Sequence, residues 1–171
     1  GAIDYEDMLR LSRELMYLDE PAASIRDRYR AFTVDEFQDT NALQWNLLRA
    51  WAGDRDDVCV VGDPAQTIFS FTGADARYLQ NFPKAYPGTT SVQLNRSYRS
   101  TAQVLTLANR VLGRRAADLV PTIESAGAPE ALLLERADDE AEQAVVVKAI
   151  QTLQKADVPL SEMAICYRIN A

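Results

Sequence analysis

Two short apolar runs, Ala31-Phe32-Thr33-Val34 and Val58-Cys59-Val60-Val61, flank one stretch with helical periodicity, and this triplet constrains the fold more than any other part of the chain. Neither run has helical spacing, and both are apolar or β-branched, the pattern of strands buried on both faces. Between them Leu43, Leu47, Leu48 and Trp51 fall on one helical face, behind a cap supplied by Asp39, Thr40 or Asn41 and ahead of a terminating Gly53. Strand, helix and strand within about thirty residues make a right-handed crossover, so the strands are expected to be parallel, with their carboxyl ends on one edge. Open α/β sheets bind ligands at that edge. Asp35 and Glu36 leave the first strand there, and Gly62-Asp63-Pro64-Ala65-Gln66-Thr67 leaves the second.

The rest of the chain extends the alternation. Upstream, Asp4 is placed to cap a helix in which Met8, Leu11, Leu15 and Leu18 form one buried stripe, and Pro21 starts a shorter helical stretch carrying Ile25 and Tyr29. Downstream, a helix over about 74–86 turns Leu79 and Phe82 inward, and Pro83, Pro87 and Gly88 break the chain after it. This break divides the sequence into modules 1–88 and 89–171. The second begins with an extended segment at 90–94. A capping box of Ser100 and Gln103 then precedes a helix bearing Val104, Leu105, Ala108, Val111 and Leu112. Residues 113–130 read as a loop, 131–134 as a strand, 138–155 as a helix and 163–167 as a strand. The fold class is therefore α/β: a partial parallel sheet with flanking helices, followed by the beginning of a second α/β module.

Composition narrows the function. A chain of 171 residues can bury a core as one domain or two small ones, and its net charge of −7 argues against a broad basic field for nucleic acid. Any nucleic-acid site must be local. With no histidine, histidine catalysis and histidine metal ligation are excluded. Cys59 and Cys166 each fall in a predicted strand and read as buried small apolar residues rather than a disulfide or zinc site. There is no positively charged leader and no apolar run of membrane-spanning length, so a soluble, cytoplasmic protein is expected, and neither end reads as a natural terminus.

A carboxylate pair at the end of a buried strand is one way nucleotide hydrolases carry a magnesium ion and a water-activating base. An isolated Asp-Glu pair, however, more often solvates a loop or caps a helix. Three clusters arrive in order: Val34-Asp35-Glu36-Phe37-Gln38-Asp39-Thr40-Asn41, then residues 61–75 from Val61-Gly62-Asp63 to Thr72-Gly73-Ala74-Asp75, then Asn95-Arg96-Ser97-Tyr98-Arg99-Ser100-Thr101. In this order and spacing they resemble motifs II, III and IV of the UvrD/Rep/PcrA family of superfamily 1 DNA helicases. The resemblance runs from Asp4-Tyr5-Glu6-Asp7-Met8-Leu9 to Cys166-Tyr167-Arg168-Ile169-Asn170-Ala171 and covers nearly the whole chain.

The resemblance implies two RecA-like motor modules, the later half of the first in 1–88 and the beginning of the second in 89–171. It gives Asp35 the role of magnesium ligand and Glu36 that of the base that orients and deprotonates the attacking water. One hard oxygen ligand beside one carboxylate base is also the chemical minimum for in-line attack on a γ-phosphate. Gln66 matches the glutamine that senses the γ-phosphate, Arg99 the arginine that reaches it from the second motor domain, and Tyr98 the tyrosine that stacks on adenine. Each residue has a plainer reading: Gln66 tying its loop to its own backbone, Arg99 or more readily Arg96 in a salt bridge, Tyr98 as packing. Phe69 and Phe71 match the aromatic pair that stacks on bases of single-stranded DNA, projecting from one side of an extended segment; otherwise they are core residues. The common pattern has tyrosine and tryptophan there with arginines alternating, whereas Ser70 and Thr72 stand at the arginine positions here, which puts phosphate contacts at this loop in doubt.

The implied cofactors are ATP and Mg²⁺. The implied partners are single-stranded DNA, single/double-strand junctions and the remaining helicase domains of a parent chain. A Gly-x-x-x-x-Gly-Lys-Ser/Thr loop does not occur in the sequence; in the family it lies upstream. The chain thus looks like a middle fragment of a 3′-to-5′ helicase of DNA repair or replication, and the fragment alone is expected to hydrolyse ATP negligibly. Without an upstream strand the sheet edge beside 58–61 would be open. A non-catalytic helicase-like binding module and a helicase-nuclease component are the alternative readings.

Overall fold

The computed structural model describes residues 3–113, 119–122 and 134–167. Asp4 sits in extended conformation and accepts the Asp7 N–H at 2.8 Å, which starts α1 (Tyr5–Leu15). The face that α1 turns inward is not the expected stripe. Leu9 and Ser12 are half-buried and Met16 is buried, toward α3 (Ala42–Ala52), whereas Met8, Leu11 and Leu15 are 45–46% exposed and Leu18 is 55% exposed. Periodicity finds an apolar stripe, but α1 carries two adjacent ones, and only the partner helix decides which is covered.

The second helix, α2 (Asp19–Arg28), starts two residues before Pro21, which a first helical turn tolerates because its N–H has no intrahelical partner there. Arg26 of α2 donates from Nη2 to the Ala50 carbonyl at 2.9 Å, and Arg55 donates to the carbonyls of Arg26 and Tyr29. These bonds strap α2 across the end of α3. Gly53 terminates α3 at φ 62°, where a Cβ would stand 3.1 Å from Arg26 Nε.

β1 (Phe32–Val34) and β2 (Val58–Val60) pair in parallel, with Phe32 opposite Val58, Thr33 opposite Cys59 and Val34 opposite Val60. Of the three candidate caps for α3, Asn41 serves: its Oδ1 accepts the Leu43 and Gln44 N–H groups, both at 3.0 Å, while Gln44 Oε1 accepts the Asn41 N–H at 2.9 Å. The strands are covered on one face rather than two. Phe32, Val34, Val58 and Val60 pack on a buried cluster of Phe37, Leu48 and Phe82, while Thr33 and Cys59 are exposed. Aromatic edges close this core, with the Phe37 and Phe82 rings perpendicular at 5.8 Å and Phe82 stacked on Tyr86 at 4.7 Å.

The single helix expected over 74–86 is two, α4 (Arg77–Gln80) and α5 (Phe82–Ala85). Pro83 lacks an N–H and its ring would clash with the Leu79 carbonyl, so the chain restarts a helix with proline in its first turn. Leu79 and Phe82 nevertheless face inward as expected.

In the second half, residues 90–94 form no strand, and β3 (Arg96–Ser97) pairs in parallel with β4 (Val120–Pro121), which lies inside the expected loop. The Ser100 and Gln103 capping box does not form. Thr101 precedes α6 (Ala102–Leu112) without a side-chain cap, and the Ser100 N–H is taken by Ser97 Oγ at 3.1 Å. Leu105 of α6 is buried, and Asn109 holds β4's approach through two bonds to Leu119, at 3.0 and 3.1 Å. α7 (Asp139–Lys155) starts as expected, with Asp138 accepting the Ala141 N–H at 2.8 Å. Of the expected strand at 131–134, residues 131–133 lie outside the described residues and Leu134 is not in a strand. Residues 163–167 also form no strand, and Cys166 is exposed. The main packing contacts join elements within 5–86 or within 96–121. The architecture is mixed α/β, with short parallel sheets and flanking helices, as in a partial RecA-like domain. Among the described residues, no helix is long and apolar enough to cross a membrane.

Candidate functional site

The chain leaves β1 through a residue that most side chains avoid. Glu36 has φ 51° and ψ 39°, the left-handed region, where a non-glycine residue costs on the order of 1–3 kcal/mol. Asp35 steadies this turn by accepting the Glu36 N–H on Oδ1 at 2.9 Å. The fully buried Phe37 anchors it, donating its N–H to the Val61 carbonyl at 2.9 Å. Asp35 and Glu36 are therefore held out, exposed, at the carboxyl end of β1, and a short 3₁₀ turn, Phe37–Asp39, carries the chain toward α3.

The exit of β2 meets this turn through Gln38, whose side chain is 1% exposed. Its Nε2 donates to Glu36 Oε2 at 2.7 Å and to Asp39 Oδ2 at 3.4 Å, and its Oε1 accepts the Asp63 N–H at 3.0 Å. Position 62 must be glycine for this contact, since a Cβ there would lie 2.5 Å from Gln38 Oε1 and 3.1 Å from the Gln38 backbone nitrogen. Asp63 then organises its own loop, accepting the Ala65 N–H on Oδ1 at 2.9 Å and the Gln66 side-chain amide on Oδ2 at 3.0 Å. Gln66 is thus tied within its loop, to the Asp63 carboxylate rather than to backbone, and is exposed. Asp35, Glu36 and the Gln66 loop are brought to one sheet edge.

Beside the carboxylates lies a cleft of about 360 Å³, bordered by Asp35, Glu36, Asp39, Thr40 and Gln44, with Leu47 and Trp51 of α3 behind. Asp39 Oδ1 is buried there without a hydrogen-bond partner. The Thr40 carbonyl accepts the Asp75 N–H at 3.1 Å, joining the turn to the segment ahead of α4. The hydrogen bond from Arg77 holds the Asp75 carboxyl below the usual carboxylate range. The donor set around the cleft suits a small hard cation. Among the described residues no cluster of three or more acidic, histidine or cysteine side chains could cage a metal, but Mg²⁺ commonly takes only one or two carboxylates and keeps its waters. The exposed Asp35 carboxylate, with Oδ2 not engaged in the turn, fits that requirement.

Phe69 and Phe71 do not lie on an extended segment. Residues Ser70–Thr72 form a 3₁₀ turn, closed by Thr72 Oγ1 on the Phe69 carbonyl at 2.8 Å and ended by Gly73 at φ 86°. The tighter turn still sets the rings side by side, 6.0 Å between centroids and inclined by 54°. Phe71 is 82% exposed and Phe69 is also exposed, so neither is a core residue. Tyr98 is 76% exposed rather than packed, and Arg99 is exposed. Among the described residues neither Arg96 nor Arg99 forms an ion pair. Tyr98 and Arg99 do not line the cleft beside Asp35 and Glu36.

Sequence reasoning passed over Gln38, Gly62 and Asp63 as individual functional residues. A glycine at the exit of an apolar run was the available signal, because it marks a close approach. What approaches it could not be read from spacing.

Comparison with known proteins matches residues 1–87 to the UvrD/REP helicase N-terminal domain. The chain is 44% identical over 175 residues to ATP-dependent DNA helicase UvrD2 of Mycobacterium tuberculosis (strain H37Rv), an alignment covering 99% of this chain and 25% of that protein. It is 36% identical over 175 residues to DNA helicase II of Escherichia coli (strain K12), covering 100% of this chain and 24% of that protein. To ATP-dependent DNA helicase UvrD1 of Mycobacterium tuberculosis (strain H37Rv) it is 34% identical over 181 residues, covering 99% and 24%. The chain spans about a quarter of the length of these relatives. With more than half of its residues matched by the family model, and the carboxylate pair and its facing loop inside that match, the chain belongs to the family of the UvrD/REP helicase N-terminal domain.

Proposed function

We propose that this chain is a middle segment of an ATP-dependent DNA helicase, spanning motifs II, III and IV, with 1–88 from the first RecA-like motor domain and 89–171 from the second. The observation that carries the reading is the carboxylate pair on the parallel β1 and β2 edge, with Glu36 and the Gln66 loop joined through one buried amide. Asp35 would hold a magnesium ion, which when bound with ATP would supply the charge neutralisation that phosphoryl transfer needs. Glu36 keeps Oε2 on Gln38 and turns Oε1 to the attacking water, whose proton it accepts. Gln66 exchanges its bond to Asp63 for one to the γ-phosphate. Arg99 reaches the same phosphate across the cleft between modules, and Tyr98 stacks on adenine.

Phe69 and Phe71 stack on bases of single-stranded DNA, each contact worth about 1–3 kcal/mol. Closing the cleft on ATP moves this turn along the strand, 3′-to-5′, at single/double-strand junctions, in a cytoplasmic enzyme of repair or replication that needs its remaining helicase domains. The segment alone turns over ATP negligibly, since it contains no phosphate-gripping Gly-Lys-Ser/Thr loop.

The test is Glu36→Gln in the longer helicase. ATP turnover is expected to fall by about 10²–10⁴-fold while single-stranded DNA binding is retained. Retained turnover, or loss of DNA binding in its place, would show that Glu36 is not the base.

A further inference from the structure

We infer that Gln38 is a positioning residue that couples the orientation of Glu36 to the state of the Gln66 loop. The inference rests on the reading of Glu36 as the base and goes beyond it, because it assigns the geometry of that base to a side chain that touches no substrate. An amide as buried as Gln38 must be fully partnered or it destabilises the fold. Its two close partners are the base itself, at 2.7 Å, and the Asp63 N–H of the facing loop, at 3.0 Å, with Asp39 Oδ2 a longer third at 3.4 Å.

The orientation of this amide is unambiguous. Flipped, it would set its oxygen against the Glu36 carboxylate and its NH₂ against the Asp63 N–H, two repulsions in place of two bonds. The amide also sits close against Gly62, where an added Cβ would stand 2.5 Å from Oε1. Beyond Asp63 the connection continues by two routes, Gln66 N–H to the Asp63 carbonyl at 2.9 Å and the Gln66 amide to Asp63 Oδ2 at 3.0 Å. An unbroken hydrogen-bonded path therefore runs from Gln66 through Asp63 and Gln38 to Glu36. When the Gln66 amide leaves Asp63 Oδ2, the Asp63 carboxylate keeps only the Ala65 N–H, and the loop's motion reaches the Asp63 backbone through the Gln66 N–H on its carbonyl, then the Gln38 amide and so Glu36. The base is set by what Gln66 touches.

Two substitutions in the longer helicase separate positioning from packing. Gln38→Met keeps the length and bulk of the side chain but neither bond. It is expected to lower kcat for DNA-stimulated ATP hydrolysis by about 10–100-fold, with KM for ATP within about threefold of wild type. Gln38→Glu can still accept from Asp63 but sets a second carboxylate against Glu36. It too cannot donate to Glu36, and it is expected to lower kcat at least as far as Gln38→Met, again with KM for ATP within about threefold of wild type.

Wild-type kcat in Gln38→Glu overturns the inference even if Gln38→Met loses activity, because a residue that only fills space would give that result. Wild-type kcat in both variants overturns it as well. If either variant unfolds at a lower temperature than wild type, backbone amide exchange at Asp63 in Glu36→Ala decides instead. Removing the Gln38 acceptor should speed that exchange by about tenfold or more, and an unchanged rate overturns the coupling. Retained turnover in Glu36→Gln would instead remove the reading of the base, a failure distinct from any of these.

Discussion

At the scale of single residues, the site depends on a side chain that is absent. A Cβ added at Gly62 would stand 2.5 Å from Gln38 Oε1 and 3.1 Å from the Gln38 backbone nitrogen and Leu79 Cδ2, too close for any of them to stay in place. Gly62→Ala is expected to push the Gln38 amide off both of its partners and to destabilise the protein by about 1–3 kcal/mol, measurable as a drop in denaturant midpoint at unchanged m-value. A midpoint equal to wild type would mean that the two strand exits can separate without cost. The placement of Asp35 and Glu36 at a strand exit was readable from the apolar run before them, whereas their proposed roles came from the resemblance. Gln38 was not readable as a clamp, because an amide has the same sequence signature whether it is buried between two loops or hydrated. Phe69 and Phe71 stand between these cases: their exposure was open in the sequence, and the turn geometry resolved it.

At the scale of elements, local chemistry predicted well where the cap or breaker acts on its own neighbours. Asn41 and Gln44 form a reciprocal capping box that starts α3 directly after the carboxylate turn. Asn41→Ala is expected to cost about 1 kcal/mol, read by urea denaturation, and to leave the β1 and β2 pairing intact. A cost below a few tenths would show that Phe37 alone fixes the turn. Pro83 split one expected helix into two for an equally local reason. Failures came where an element needs a distant partner. The stripe of Met8, Leu11 and Leu15 was expected to be buried, yet α1 meets α3 through the neighbouring face. The Ser100 cap failed for a local reason instead: Thr101 stands at the N-cap of α6, and Ser97 Oγ, three residues back, takes the Ser100 N–H.

At the scale of the whole molecule, the first parallel sheet has only two strands among the described residues, so backbone groups along its outer edges are left without a strand partner. Such edges template pairing with another strand. The chain by itself is expected to self-associate as its concentration rises, and a strictly monomeric sedimentation profile at high concentration would count against this. The single-faced cover of β1 and β2 belongs to the same scale. Cys59 and Thr33, read as buried, face outward because helices pack on the other side.

The sequence by itself determined the alternation of strands and helices, the parallel crossover and the carboxylates at its exit, because hydrophobic period, caps and strand ends are encoded within a few residues of where they act. Only the tertiary structure decided which helix faces are covered, that Gln38 lies between Glu36 and Asp63, and that Gly62 makes room for it. Those contacts join residues about 25 positions apart in the chain, and no local pattern specifies which side chains meet across such a distance.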